Sequence, residues 1–243
     1  MVSLSHRPMS NPSSPAAMTY PQRHGQSIVD NALQLRWIVM IQANLEWLFV
    51  NDPNVLVAGD LPWYPVEGNP KICGVPHAFV AFGRPQGDRS TYQQWLEDDI
   101  APHVVFEIAS PHSTKAEMNH KLLFYDRYEV EEYYLYDPGN RVLTGWQRSD
   151  GFLDLIEIMD NWVSPRLGIR FDSTDRELRL FRPDGQPFLT YAEMADQAQQ
   201  ASQRLAQVEQ ELKQTQQQFE DTWRKSQAMA DRLRDLGLDP DCL

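Results

Sequence analysis

At 243 residues, with 42% hydrophobic and 11% aromatic residues, the chain can bury one sizeable domain plus an appendage, or two small domains. A formal charge of -12 argues against a general nucleic-acid coating protein, which needs a surplus of Lys and Arg to neutralise phosphates, although it permits a local basic cleft. Cys73 and Cys242 are the only cysteines, far apart and without partners at metal spacing, which argues against a disulfide scaffold and for a reducing cytoplasm.

Residues 1–23 are rich in Ser, Pro and polar groups and lack the apolar centre of an export signal, so they read as a loose arm. Leu33 to Val50 carries Arg36, Gln42, Asn44 and Glu46 and is too short and polar for a membrane span. It predicts an amphipathic helix capped by Asp30 or Ser27, with Leu33, Trp37, Met40, Ile41, Asn44, Leu45 and Leu48 near one stripe. Short strands are expected at Val55–Ala58, Val75–Phe82 and Val104–Ala109. Thr114-Lys115-Ala116-Glu117 has the capping-box pattern, predicting a helix to about Tyr128 with Met118, Lys121, Leu122 and Tyr125 facing inward. Further strands are expected at Tyr133–Tyr136, Val142–Arg148, Phe152–Ile158, Gly168–Phe171 and Leu178–Arg182, finishing in a hairpin near Pro183-Asp184-Gly185.

Thr190 and Glu193 can cap a last helix. From Met194 through Leu205, Val208, Leu212 and Phe219 to Leu236, alternating spacings of four and three mark the a/d seam of a coiled coil. Thr215, Thr222 and Ser226 interrupt that seam with polar groups, so a modest dimer or a helix folded against the domain is expected. The domains read as an arm at 1–23, a main domain at 24–188, a helical or coiled-coil tail at 189–237 and a short end at 238–243.

Glu107 is the most unusual residue, because it interrupts the apolar run Val104 to Ala109. A carboxylate in a buried strand needs a partner or a metal ion. Strand alternation places His77 with Phe79 and Ala81, and Glu107 with Val105, so adjacent strands can bring His77 beside Glu107. Lys121 points from the inward stripe of its helix toward the sheet. A carboxylate, a second ligand and a Lys converging in this way suit metal-assisted phosphodiester hydrolysis. The plainer readings are a structural pair of Glu107 with Lys121 or Arg127, a Lys121 that snorkels to solvent, and an Asp60 that caps the turn before Leu61-Pro62. His103, His112 and His120 lack zinc-hydrolase spacing and read as surface residues, Ser110 reads as a turn residue, and Tyr133, Tyr134 and Tyr136 read as core.

Gly59-Asp60, Val75 to Val80, Val105 to Pro111, Lys121 with Tyr125, Val130 to Tyr134 and Tyr136-Asp137-Pro138 together resemble the Uma-two family of restriction-endonuclease-like proteins, abundant in cyanobacteria. The resemblance covers roughly Ile28 to Arg182. It implies the PD-(D/E)XK nuclease fold, an α/β (α+β) mixed sheet flanked by helices, with Mg²⁺-dependent DNA cleavage and a helical C-terminal extension. Carried onto this chain, it makes Glu107 and Lys121 catalytic and Glu107, Asp60 and His77 the metal-binding set. The parent pattern has Asp where this chain has His77, and the Lys usually two residues after the Glu is here Ala109, its place taken by Lys121 on the helix. Imidazole suits Mn²⁺ or Zn²⁺ better than Mg²⁺. The expectation is therefore a cytoplasmic, divalent-metal-dependent DNA endonuclease, weakened at His77 and forming a homo-oligomer, most simply a dimer. The alternative is a catalytically inactive nuclease-fold module that associates through its C-terminal coiled coil.

Overall fold

The computed structural model describes residues 32–174 and 177–236. The loose arm at 1–23, the capping positions Ser27 and Asp30, and the end at 238–243 with Cys242 lie outside the described residues. Helix α1 (Ala32–Leu48) leads into strands β1 (Val55–Ala58), β2 (Trp63–Tyr64), β3 (Ala78–Phe82), β4 (Tyr92–Gln93) and β5 (Val104–Ile108). Helix α2 (Lys115–Arg127) then precedes β6 (Glu132–Asp137), β7 (Val142–Ser149), β8 (Phe152–Leu155), β9 (Arg170–Asp172) and β10 (Arg179–Phe181). Six strands form one mixed sheet in the order β1-β3-β5-β6-β7-β8, while β9 with β10 and β2 with β4 make two small separate pairs. Within the large sheet β5 and β6 run parallel and every other neighbouring pair is antiparallel. A parallel pair needs a long crossover, and α2 supplies it.

The sheet is covered on both faces. Against one, Ile38, Ile41 and Leu45 of α1 pack on Val55, Ala78, Val80, Val104, Phe106 and Ile108. Against the other, Tyr125 of α2, with Trp63 and Tyr92, packs on Leu56, Phe79, Ala81, Val105 and Tyr133. Double coverage explains why β3 and β5 read as unbroken apolar runs rather than alternating ones. It also means that every residue of β5, Glu107 included, is buried.

α2 begins with the expected capping box. The Thr114 N–H donates to Glu117 Oε2 at 2.8 Å, and the Glu117 N–H donates to Thr114 Oγ1 at 3.2 Å. Met118, Lys121 and Leu122 are partly buried and Tyr125 fully so, as the stripe predicts. α1 buries the expected stripe at Ile41, Asn44 and Leu45, with Trp37, Met40 and Leu48 packed against the core; in its first turns, however, Leu33 is exposed while Gln34 and Ile38 are buried. Apolar residues lie all around the start of this helix, so periodicity alone could not choose the inward residue there. Hydrogen bonds settle it, since the Gln34 amide donates to the Ile108 carbonyl at 2.8 Å. The strand expected from Val75 starts only at Ala78, after Pro76, which has no N–H to give a ladder. The closing turn falls at Pro183-Asp184-Gly185, where Gly185 takes φ +82° and its N–H donates to the Arg182 carbonyl.

The chain divides into two compact units, Met1–Phe188 and Leu189–Leu243. The second is built on helix α3 (Tyr191–Asp235), 45 residues long and capped by Thr190 and Glu193. No residue of α3 is buried. No helix among the described residues is long and apolar enough to cross a membrane.

Candidate active site

Backbone register assembles the site. Ala78 on β3 pairs with Phe106 on β5, so the next step along both strands sets His77 against Glu107. Ala58 on β1 pairs with Phe79. Beyond it the chain turns at Asp60, whose φ of 52° is left-handed, a conformation that Asp tolerates better than most residues. The Asp60 N–H donates to the Pro76 carbonyl at 3.0 Å, which brings Asp60 alongside His77. Gly59 permits this approach, because a Cβ there would lie 2.8 Å from the His77 carbonyl oxygen. The row Asp60, His77, Glu107 thus crosses the ends of three neighbouring strands.

Glu107 is 1% exposed, and His77 is also buried. Three side chains hold the carboxylate. Lys121 Nζ lies 2.7 Å from Oε2, His77 Nδ1 lies 2.5 Å from the same oxygen, and the Tyr125 hydroxyl donates to Oε1 at 2.5 Å. Burial alone would raise the pKa of Glu107, but the Lys121 ammonium and His77 outweigh it and bring the carboxyl down to about 2. Burial pushes the Tyr125 phenol well above its ordinary range, reinforced by the neighbouring Glu107 charge, so Tyr125 serves as a hydrogen-bond donor. His77 Nδ1 also faces the Ile108 amide at 3.0 Å. Only an Nδ1 that carries a proton is attracted to the carboxylate, and only one that lacks it accepts from the amide. The ring therefore stands between two incompatible partners.

Of the plainer readings, snorkelling of Lys121 is ruled out by its contact with Glu107. Arg127 is exposed, with its guanidinium over the Tyr128 ring, and is not the partner of Glu107. His112 and His120 are exposed, but His103 is not a surface residue. Its Nδ1 accepts from the Phe82 amide at 3.2 Å, and burial lowers its pKa. Ser110 makes the expected turn, accepting from the His112 amide. Tyr133, Tyr134 and Tyr136 are core residues. Tyr125 was foreseen as an inward residue but not as a partner of Glu107. Its position one helical turn beyond Lys121 on the same face was the available signal.

Further along the same sheet face, beside Ala109 at the carboxyl end of β5, a cavity of about 430 Å³ is lined by Ala109, Thr114, Lys115, Met118, Leu135 and Asn140, among others. The carboxyl ends of parallel strands are where open α/β sheets commonly bind ligands.

Among the described residues no three of His, Cys, Asp and Glu are grouped so as to hold a metal ion. Mg²⁺ does not require such a group. It keeps several waters and is commonly held by one or two carboxylates together with substrate phosphate oxygens. Glu107 is a carboxylate of the kind such an ion takes, and His77 beside it offers a nitrogen better suited to Mn²⁺.

The main unit is an α+β domain, a mixed sheet flanked by helices, with a buried acid and a lysine facing each other. The family model for Uma2, described as "Putative restriction endonuclease", matches residues 32–172, more than half of the chain, and the chain belongs to that family. A crystal structure described as a "putative nuclease belonging to DUF820" from Anabaena variabilis ATCC 29413 is similar at a TM-score of 0.41 and 12% identity, covering 59% of this chain and 74% of that one. No curated protein matches the chain.

Proposed function

We propose that this protein is a divalent-metal-dependent DNA endonuclease that hydrolyses phosphodiester bonds at Glu107. Family membership supports the nuclease class, and one observation carries the site: a fully buried carboxylate is kept ionised with a lysine 2.7 Å away. In this reading Glu107, Asp60 and His77 would hold the ion, Mg²⁺ or Mn²⁺. The ion would polarise the phosphate and acidify a bound water. Lys121 then turns its ammonium from Glu107 to the negative charge developing on the phosphate, or orients the attacking water. Tyr125 keeps Glu107 Oε1 fixed throughout, and the cavity beside Ala109 gives the substrate strand room next to the acid.

A second reading rests on the same contacts. His77, Lys121 and Tyr125 already compensate both oxygens of Glu107, so the charge is stable with no ion, as in a nuclease fold retained as a non-catalytic interaction module. Incubating the full chain with plasmid and single-stranded DNA in Mg²⁺ or Mn²⁺, beside Glu107→Ala, Lys121→Ala and His77→Asp, separates the two. The nuclease reading predicts cutting that Glu107→Ala and Lys121→Ala abolish, and stronger support from Mg²⁺ in His77→Asp. It is refuted if neither wild type nor His77→Asp cuts in a Glu107-dependent way; cutting by His77→Asp alone identifies a disabled nuclease.

A further inference from the structure

Helix α3 has an apolar seam that no described residue of its own unit covers. At about 1.5 Å per residue, its 45 residues extend for about 68 Å. Assigning Leu205, Leu212, Phe219 and Leu233 to a positions puts Val208, Thr215, Thr222, Met229 and Leu236 at d. Leu205, Val208, Leu212, Phe219, Met229 and Leu236 are each between 57% and 76% exposed. Side chains of this kind bury on the order of 100 Å² each. Two copies meeting along the seam would cover roughly 1,200 Å², the lower edge of a stable specific interface.

We infer that α3 pairs with α3 of a second copy of this chain as a parallel, in-register coiled coil, setting two nuclease units at the same end of the seam.

Layer composition and charge favour this arrangement. In register, each layer faces its own kind: Leu205, Val208 and Leu212 meet their equivalents, and the polar residues Thr215, Thr222 and Ser226 meet polar ones. Arg204 falls at g and Glu209 at the following e position. The parallel pair therefore sets Arg204 of each copy against the partner's Glu209, an attraction made twice. A fully overlapping antiparallel pair sets Arg204 near the partner's Lys225 and Leu212 opposite the partner's Thr215. Sliding to match Leu212 with the partner's Met229 repairs those layers but leaves Met194, Ala198 and Ala201 with nothing to face. The polar layers limit stability and resist sliding, as single polar core positions do in coiled coils. The main unit precedes α3 in the chain, so a parallel pair joins both copies' main units, each with its Glu107 site, to the same end of the seam. Cutting both strands of a duplex requires two such sites or two encounters. This consequence rests on the nuclease reading; the pairing itself does not.

The test uses the full chain with Cys73→Ser and Cys242→Ser. Sedimentation equilibrium at micromolar concentration should give twice the chain mass of 28.1 kDa. Leu205→Asp with Leu212→Asp should raise the dimer dissociation constant by more than about a hundredfold, while near-ultraviolet circular dichroism shows the main unit intact. Ala201→Cys, far from the seam's midpoint, should cross-link as a disulfide dimer only when the helices run parallel and in register. A monomer at about 100 µM, a dimer that survives the double Asp variant, or a dimer in which Ala201→Cys does not cross-link would each overturn the inference. These readouts involve no DNA, so their outcome is independent of whether the protein cuts. If it does cut, the double Asp variant should keep nicking activity and lose most double-strand breaks made in one encounter.

Discussion

Replacing Lys121 with methionine keeps most of the side-chain volume and removes the ammonium beside Glu107. In the wild type the Glu107 carboxyl stands at about 2 against an ordinary 4.5, which at 1.36 kcal/mol per unit is about 3 kcal/mol of stability. Because the folded pKa is depressed, that stability is fully present above about pH 4.5 and lost as pH falls toward about 2. Lys121 is the leading cause of the lowering, but its side chain is 32% exposed, so water screens part of its effect. Lys121→Met should therefore cost about 2 kcal/mol at pH 7, with His77 and Tyr125 still in place. The cost should shrink as Glu107 protonates. Urea unfolding followed by near-ultraviolet circular dichroism, at pH 7 and at pH 3, measures both. A variant within about 0.5 kcal/mol of wild type at pH 7, or one with an unchanged slope between pH 4.5 and 2, would show that the pair is not coupled as described.

Three other substitutions probe separate parts of the account. Tyr125→Phe leaves Glu107 Oε1 without its donor in a dry site and should cost about 1–3 kcal/mol in the same unfolding assay. Ser164→Ala removes the hydroxyl that donates to Glu132 Oε2 at 2.5 Å. Burial already raises the Glu132 pKa, so the loss should be about 1–3 kcal/mol at pH 7 and shrink at low pH, where Glu132 takes up its proton, the remainder being the buried Leu167 N–H that also donates to Ser164 Oγ. Thr114→Ala breaks the α2 capping box and should cost about 1 kcal/mol, seen as faster hydrogen exchange in the first turn of that helix.

Much of the site was legible because each part left a local mark. Glu107 broke an apolar run, Thr114 and Glu117 marked a helix start, and Lys121 and Tyr125 shared a stripe. The contacts of Glu107 with Lys121 and His77 were within reach of the pattern, but the partners of Tyr125 and His103 were not. Tyr125 reads as one more inward aromatic until the helix is docked on β5. His103 looks like a loop histidine until its ring meets the Phe82 amide. In α1 the stripe from Trp37 to Leu48 was legible, but Leu33 and Leu35 are both apolar and exposed, and only Gln34 reaching the Ile108 carbonyl marks the buried side of the first turn. The two-residue strands β2 and β4 carry no period at all, and the small pair β9 and β10 reads no differently from a strand of the main sheet. Long-range register decides such features.

Mn²⁺ binding to the full chain, followed by the loss of the free-ion electron paramagnetic resonance signal, tests the central claim most directly. Wild type should bind one ion per chain at the Glu107 site and Glu107→Gln should lose that binding, since a neutral amide replaces the one fully buried carboxylate of the row. Equal Mn²⁺ binding by wild type and Glu107→Gln would contradict the account.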